Sequence, residues 1–163
     1  MSKTISYNLS TAAILQEIYA AAALRSLDNA IETPQILTRD HQGALRLLIK
    51  DAFAFIVMKF ITYVESCNIN DESEKGVADT SDSEEMILTL DLRMCDNISG
   101  NITGAFRIML EHAIAAYALH ICYIGKDDKT SEEYRTIAQN EVEGMKQLLS
   151  STSLGLINIT PHY

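Results

Sequence analysis

Basic residues are scarce. Thirteen Lys and Arg stand against 22 Asp and Glu, a formal net charge of -9, and such a surface repels phosphate backbones and anionic lipid headgroups. The chain shows no basic patch, so neither sequence-specific nucleic acid nor a membrane is expected as a partner. Two prolines and seven glycines in 163 residues leave long stretches free to be helical, and disorder of the whole chain is not expected. Three cysteines, Cys67, Cys95 and Cys122, are odd in number and form no C-x-x-C pair, which excludes a disulfide framework and reads as free thiols in a reducing compartment. The first apolar run is broken by Gln16 and Glu17 and lacks signal-peptide design, so synthesis and action in a cytoplasm are expected.

Motifs that carry chemistry are also missing. No G-x-S-x-G, Walker A loop or dinucleotide glycine pattern occurs. His112 and His120 are eight apart on one expected helix, whereas metal-binding helices place ligands three or four apart. They read as core or interface histidines. Cys122 and His120 are two apart, on opposite sides of a helix, and make no local nucleophile–base pair. No catalytic, metal-binding or cofactor-binding residue is expected, and no enzyme.

What is present is helical periodicity. Residues 11–29 place Ile14, Leu15, Ile18, Ala22 and Leu27 near helical spacing, with Ser10 or Thr11 available as N-cap. After a break at Thr33-Pro34, a second helix is expected over residues 38–67, on the order of 45 Å long. Its run "AFAFIVMKFITYV", residues 52–64, contains one charge, Lys59, and is apolar nearly all round, yet it falls short of the roughly 20 residues that span a bilayer. Residues 68–85 hold seven acidic residues against Lys75, a net -6. They read as a solvated, mobile loop without the residue order of a calcium loop. A third helix is expected over residues 105–124, apolar on most sides. A fourth follows the Thr130/Glu133 capping box, with Tyr134, Ile137, Ala138, Val142, Met145, Leu148 and Leu149 on one stripe. Residues 151–163 read as an extended tail that docks on something. Phe53, Ile56, Phe60, Ile108, Ala115 and Leu119 are the expected centre of the core.

One stretch departs from this pattern. In "MILTLDLRM", residues 86–94, Met86, Leu88, Leu90, Leu92 and Met94 alternate with Ile87, Thr89, Asp91 and Arg93, the period of a half-buried strand. Its backbone must pair with something. The candidates are "TISYNL" near the N-terminus, with Ile5, Tyr7 and Leu9 in the same alternation, the C-terminal "GLINIT", or an arm of another protein. At least one edge is expected to pair across a subunit boundary. Met86, Leu88, Leu90, Leu92, Leu154, Leu156, Ile157 and Ile159 are then the partner-binding residues. The expected fold is mainly α: one domain, 1–163, a four-helix bundle with a single strand or small ribbon and extended termini.

The order from residue 86 to 149, an alternating strand, the Asn-rich turn "CDNISGN", the aliphatic helix "ITGAFRIMLEHAIAAYALHICYI" and the amphipathic "SEEYRTIAQNEVEGMKQLL", resembles small helical head–tail connector or adaptor proteins of tailed phages and prophages. The resemblance implies a non-enzymatic virion protein forming a homo-oligomeric ring between portal and tail, made in the host cytoplasm. It implies no catalytic residue. The acidic loop and the long second helix depart from that pattern. The competing expectation is a cytoplasmic regulatory or small-ligand-binding bundle with its pocket between the second and third helices.

Overall fold

The alternation at residues 86–94 does produce a strand, and "TISYNL" supplies one of its partners. In a computed structural model, which describes residues 2–29, 33–70, 86–95 and 100–154 (without the side chains of 2, 28, 29, 70, 95 and 151–154), β1 is Ser2–Ser10, α1 Thr11–Asn29, α2 Gln42–Met58, β2 Val64–Asn70, β3 Ile87–Cys95, α3 Gly100–Tyr123 and α4 Asp128–Leu154. The chain is mostly helical, with four α-helices and one antiparallel sheet of order β1-β3-β2. Two short 3-10 turns, Gln35–Leu37 and Arg39–His41, lead into α2.

The sheet has two chemically distinct faces because side chains alternate along each strand. Leu9 and Leu88, Tyr7 and Leu90, and Ile5 and Leu92 lie opposite one another in β1 and β3. Leu88, Leu90 and Leu92 are fully buried, as is Leu9. Thr4, Ser6, Asn8, Glu65, Ser66, Asn68 and Arg93 are exposed on the other side. There the polar residues bond across the strands: Thr89 Oγ1 donates to Asn8 at 3.0 Å, Arg93 Nε donates to Glu65 at 2.9 Å, and Thr4 also donates to Glu65. Ser6 and Ser66 donate to Asp91. Those bonds hold the Glu65 carboxyl, through Thr4 and Arg93, and the Asp91 carboxyl, through Ser6 and Ser66, below the usual carboxylate range.

Helix α3 is the hub, packed along much of its length against α4 and also against α2 and α1. Phe53, Ile56 and Phe60 meet Phe106, Ala115 and Leu119 in one continuous cluster that also contains the buried face of the sheet. The Phe60 and Phe106 rings meet edge-on at 6.0 Å, and Tyr7 lies 5.2 Å from Phe106, which joins sheet to helices. Ile108 departs from the expectation. It is 56 % exposed, because α3 turns Phe106 and Leu110 inward and carries Ile108 on the open side.

Several boundaries differ from the expected ones: α2 opens at Gln42 rather than at residue 38, and α3 opens at Gly100 rather than at residue 105. The second helix ends at Met58 rather than near residue 67: the chain turns through residues 59–63 and enters β2. The second edge of β3 offers residues 64–70 a ladder that a continued helix would forgo. Residues 68–70 of the expected acidic loop thus belong to β2, and residues 71–85 lie outside the described residues. Helix α4 runs on to Leu154, so the expected tail begins four residues later than its sequence suggested. The cap of α4 is Asp127 rather than Thr130. The Asp127 carboxylate accepts the Thr130 hydroxyl and the backbone N–H groups of Lys129 and Thr130, and these bonds, the hydroxyl foremost, lower its pKa. The tight link from α3 needs a left-handed residue, and Gly125 supplies it at φ 73°.

Candidate functional site

The expected partner-binding residues are the first to place. Met86, Leu88, Leu90 and Leu92 are between 0 and 3 % exposed. They form one wall of the core and are not available to another chain. β3 is the middle strand, with β1 on one edge and β2 on the other, so no edge of this strand remains for a neighbouring subunit. The physical reason is the second ladder: "VESCNIN" looks polar and unstrandlike, yet Val64 and Ile69 face the core side opposite Leu92 and Leu88. Among the described residues β1 and β2 each pair with β3 alone. Leu154 ends α4 and its side chain is outside the described residues, as are Leu156, Ile157 and Ile159.

The histidines sit at helix junctions. His112 is exposed, with Nε2 3.4 Å from Glu17 on α1 and Nδ1 3.8 Å from Glu141 on α4. Burial raises the Glu17 carboxyl above the ordinary range; His112 opposes this, while Glu111 and Glu141 add to it. Among the described residues no group of three His, Cys, Asp or Glu side chains is arranged to hold a metal ion. His120 is half-buried and locked to α4. Its Nδ1 lies 3.0 Å from the Ser131 carbonyl oxygen, and the Ser131 hydroxyl donates to the His120 carbonyl at 2.9 Å. With that hydroxyl proton committed, Nδ1 carries the ring proton and donates it to Ser131.

Two surface features remain. The first is the outer face of α2. Leu45, Ile49, Ala52, Phe53, Ile56 and Val57 are buried on one side. On the other, Leu47 (59 % exposed), Phe55 (41 %) and Met58 (64 %) form an open apolar stripe that continues into Ile61 (58 %), interrupted by Asp51 and by the Lys59 ammonium over Phe55. The second is a groove of about 530 Å³ between α2, α3 and α4, lined among others by Phe55, Lys59, Tyr117, His120, Arg135 and Lys146. The Phe55 and Tyr117 rings stack at 4.2 Å and 9°, and the Lys59 ammonium sits 4.4 Å from the Phe55 centroid. Arg135 and Lys146 are held by exposed partners one turn away, Glu132 and Glu143. Phe55 and Tyr117 meet only through the packing of α2 on α3, which residue spacing does not reveal; Lys59, alone in its apolar run, was the visible signal.

Helix α3 is long and apolar enough to cross a membrane, the one such helix among the described residues, and half of its apolar window is buried. Its open side bears Arg107, Glu111 and His112, with Arg107 and Glu111 paired at 3.1 Å, which suits water better than lipid. No family model matches the chain, and neither a curated protein nor a solved structure is similar to it.

Proposed function

We propose that this chain is a non-enzymatic structural protein that works by associating with copies of itself, as in the ring-forming head–tail connectors between portal and tail of phage virions. The observation that carries the reading is the outer stripe of α2, Leu47, Phe55, Met58 and Ile61. An amphipathic helix of a monomer would be polar there, and an apolar strip broken only by Asp51 and the Lys59 ammonium over Phe55 is economically covered, on an otherwise acidic chain, by a neighbouring copy. The joint first expected at β3 moves to this stripe. Helices α1, α2 and α4, gathered round α3, then act with it as the rigid bundle of each ring segment, with portal and tail proteins as further partners. Light scattering of the purified chain tests the self-association. The parent is expected as an oligomer and Met58→Lys as a folded monomer, since that side chain is already mostly in water. A parent that is monomeric alone and with the products of its neighbouring genes removes this reading.

The groove favours a second reading, a small-ligand-binding protein, because an aromatic wall and three cations converge there. A monomeric parent whose melting temperature rises with 2-naphthoate, with the rise lost in Lys59→Glu, selects that reading over the first.

A further inference from the structure

The groove between α2, α3 and α4 is longer than one small anion, and its charges are spread along it. Arg135 and Lys146 both line it from α4. They stand eleven residues apart, which a helix converts into about 16 Å along its axis and only about 20° around it. One cation therefore stands at each end of the same helix face. Between them that face presents Ala138 and Val142, and α2 contributes Ile56 from across the groove; all three are at most 6 % exposed and form its apolar floor. The stacked rings of Phe55 and Tyr117 make the side wall, with the Lys59 ammonium over Phe55. The volume, about 530 Å³, is that of a small-molecule site.

A trough with an apolar floor and a cation at either end is complementary to a molecule built the opposite way, apolar in the middle with an anionic group at each end. A monoanion satisfies one end and leaves the other in water. The acidic partners already present do not block this. Glu132 holds Arg135 at 2.6 Å and Glu143 holds Lys146 at 2.9 Å, but each pair joins neighbours one turn apart on exposed helix surface, where an ion pair contributes little and exchanges readily. The chain as a whole carries -9 and repels a dianion more than a monoanion, so a preference for two charges has to be made locally, by the two ends of the groove. A carboxylate suits Arg135 through paired N–H donors and Lys146 as a compact charge. We propose that the groove binds an elongated dicarboxylate with an apolar middle, lying along α4 with one carboxylate on Arg135 and the other on Lys146. This deepens the small-ligand reading of the groove and rests on it.

Titration calorimetry and thermal melting of the full chain with three probes test this. Biphenyl-4,4′-dicarboxylate is a rigid rod whose carboxylates, with a hydrogen bond at either end, cover the span from Arg135 to Lys146. Biphenyl-4-carboxylate has the same body and one charge, and succinate has two charges and no body to cover the floor. The dicarboxylate should bind once per chain, roughly fivefold more tightly than the monocarboxylate, and succinate should not bind. Arg135→Gln and Lys146→Gln change side chains that are 49 % and 41 % exposed, and without ligand both should melt close to the parent's temperature. Each should abolish the preference and still bind the monocarboxylate, because the rod can turn its single charge to the remaining cation. Equal affinities of the two biphenyl acids in the parent, or a preference that survives in either variant, overturn the dicarboxylate inference and leave the groove a small-ligand site. Absence of any heat or melting shift with the biphenyl acids and with 2-naphthoate removes both.

Discussion

Single side chains in this protein differ most in whether their polar atoms have found partners. Tyr7 is 4 % exposed and its hydroxyl has no hydrogen-bond partner. Burial pushes its pKa up to about 12, so the group stays neutral at any ordinary pH. Removing an unpartnered hydroxyl removes a desolvation cost and keeps the ring that packs on Phe106. Tyr7→Phe is therefore expected to leave stability unchanged or to raise it by up to about 1 kcal/mol, read by urea denaturation. A loss of more than about 1 kcal/mol would mean that the hydroxyl is bonded. Thr130 is the opposite case. It is buried, accepts Arg25 Nε and Nη2 at 3.2 and 2.9 Å, and donates to Asp127. Thr130→Val has the same shape but strands the Arg25 guanidinium, which then keeps only Glu133. The expected cost is about 1–3 kcal/mol, with Thr130→Ser close to the parent. Equal stability of the Val and Ser variants would show that this junction of α1 with α4 contributes packing alone.

The sheet carries two carboxylates whose titration is linked to its cross-strand bonds. Glu65 and Asp91 have folded-state pKa values below their ordinary ones, because hydroxyl and guanidinium donors across the strands favour the charged form. A carboxylate with a depressed folded pKa adds stability that is fully present above its unfolded pKa and is lost as pH falls through the folded one. The double variant Glu65→Gln, Asp91→Asn should lose stability near neutral pH and show a flatter decline between about pH 5 and pH 2, followed by denaturant midpoints across that range. An unchanged acid limb would mean that these exposed bonds are replaced by water at no cost. This element also shows what the sequence could and could not reveal. β3 was legible because five consecutive alternations leave no other reading, and β1 was legible as its partner from Ile5, Tyr7 and Leu9. β2 was not: Glu65, Ser66, Cys67 and Asn68 are all exposed, so its alternation is faint, and its strand character comes from a ladder contributed by residues 17 to 28 positions away. The candidate site followed the same division. The apolar excess on the second helix was visible as composition, and its outer half is the open stripe. The stacked pair of Phe55 and Tyr117 depends on helix–helix contacts that no local pattern records.

At the scale of the molecule the question is whether the helices make a core by themselves or share one with the sheet. The buried cluster runs without interruption from Leu88, Leu90 and Leu92 through Tyr7 and Phe106 to Phe60 and Phe53. Thr11, the first residue of α1, adds a hydrogen-bonded tie: its hydroxyl and its N–H both donate to the Met86 carbonyl, at 2.9 and 3.2 Å, so the start of α1 is fastened to the start of β3. Leu90 stands at the centre, opposite Tyr7 on one side and Cys67 on the other. Proline at that position deletes a ladder N–H, bends the middle strand and removes a fully buried side chain. Were β3 an edge strand serving an interface, such a change would abolish assembly and spare the helices. With β3 in the middle of a shared core, Leu90→Pro should instead abolish cooperative melting and reduce helical circular dichroism together, whereas Leu90→Ala should cost about 2–5 kcal/mol and remain cooperative. The decisive comparison is made on one sample of each variant, far-ultraviolet circular dichroism for the helices and light scattering for assembly. If Leu90→Pro keeps a sharp helical transition at the parent's temperature, the helices close a core without the sheet, and β3 is a lid on a self-sufficient bundle.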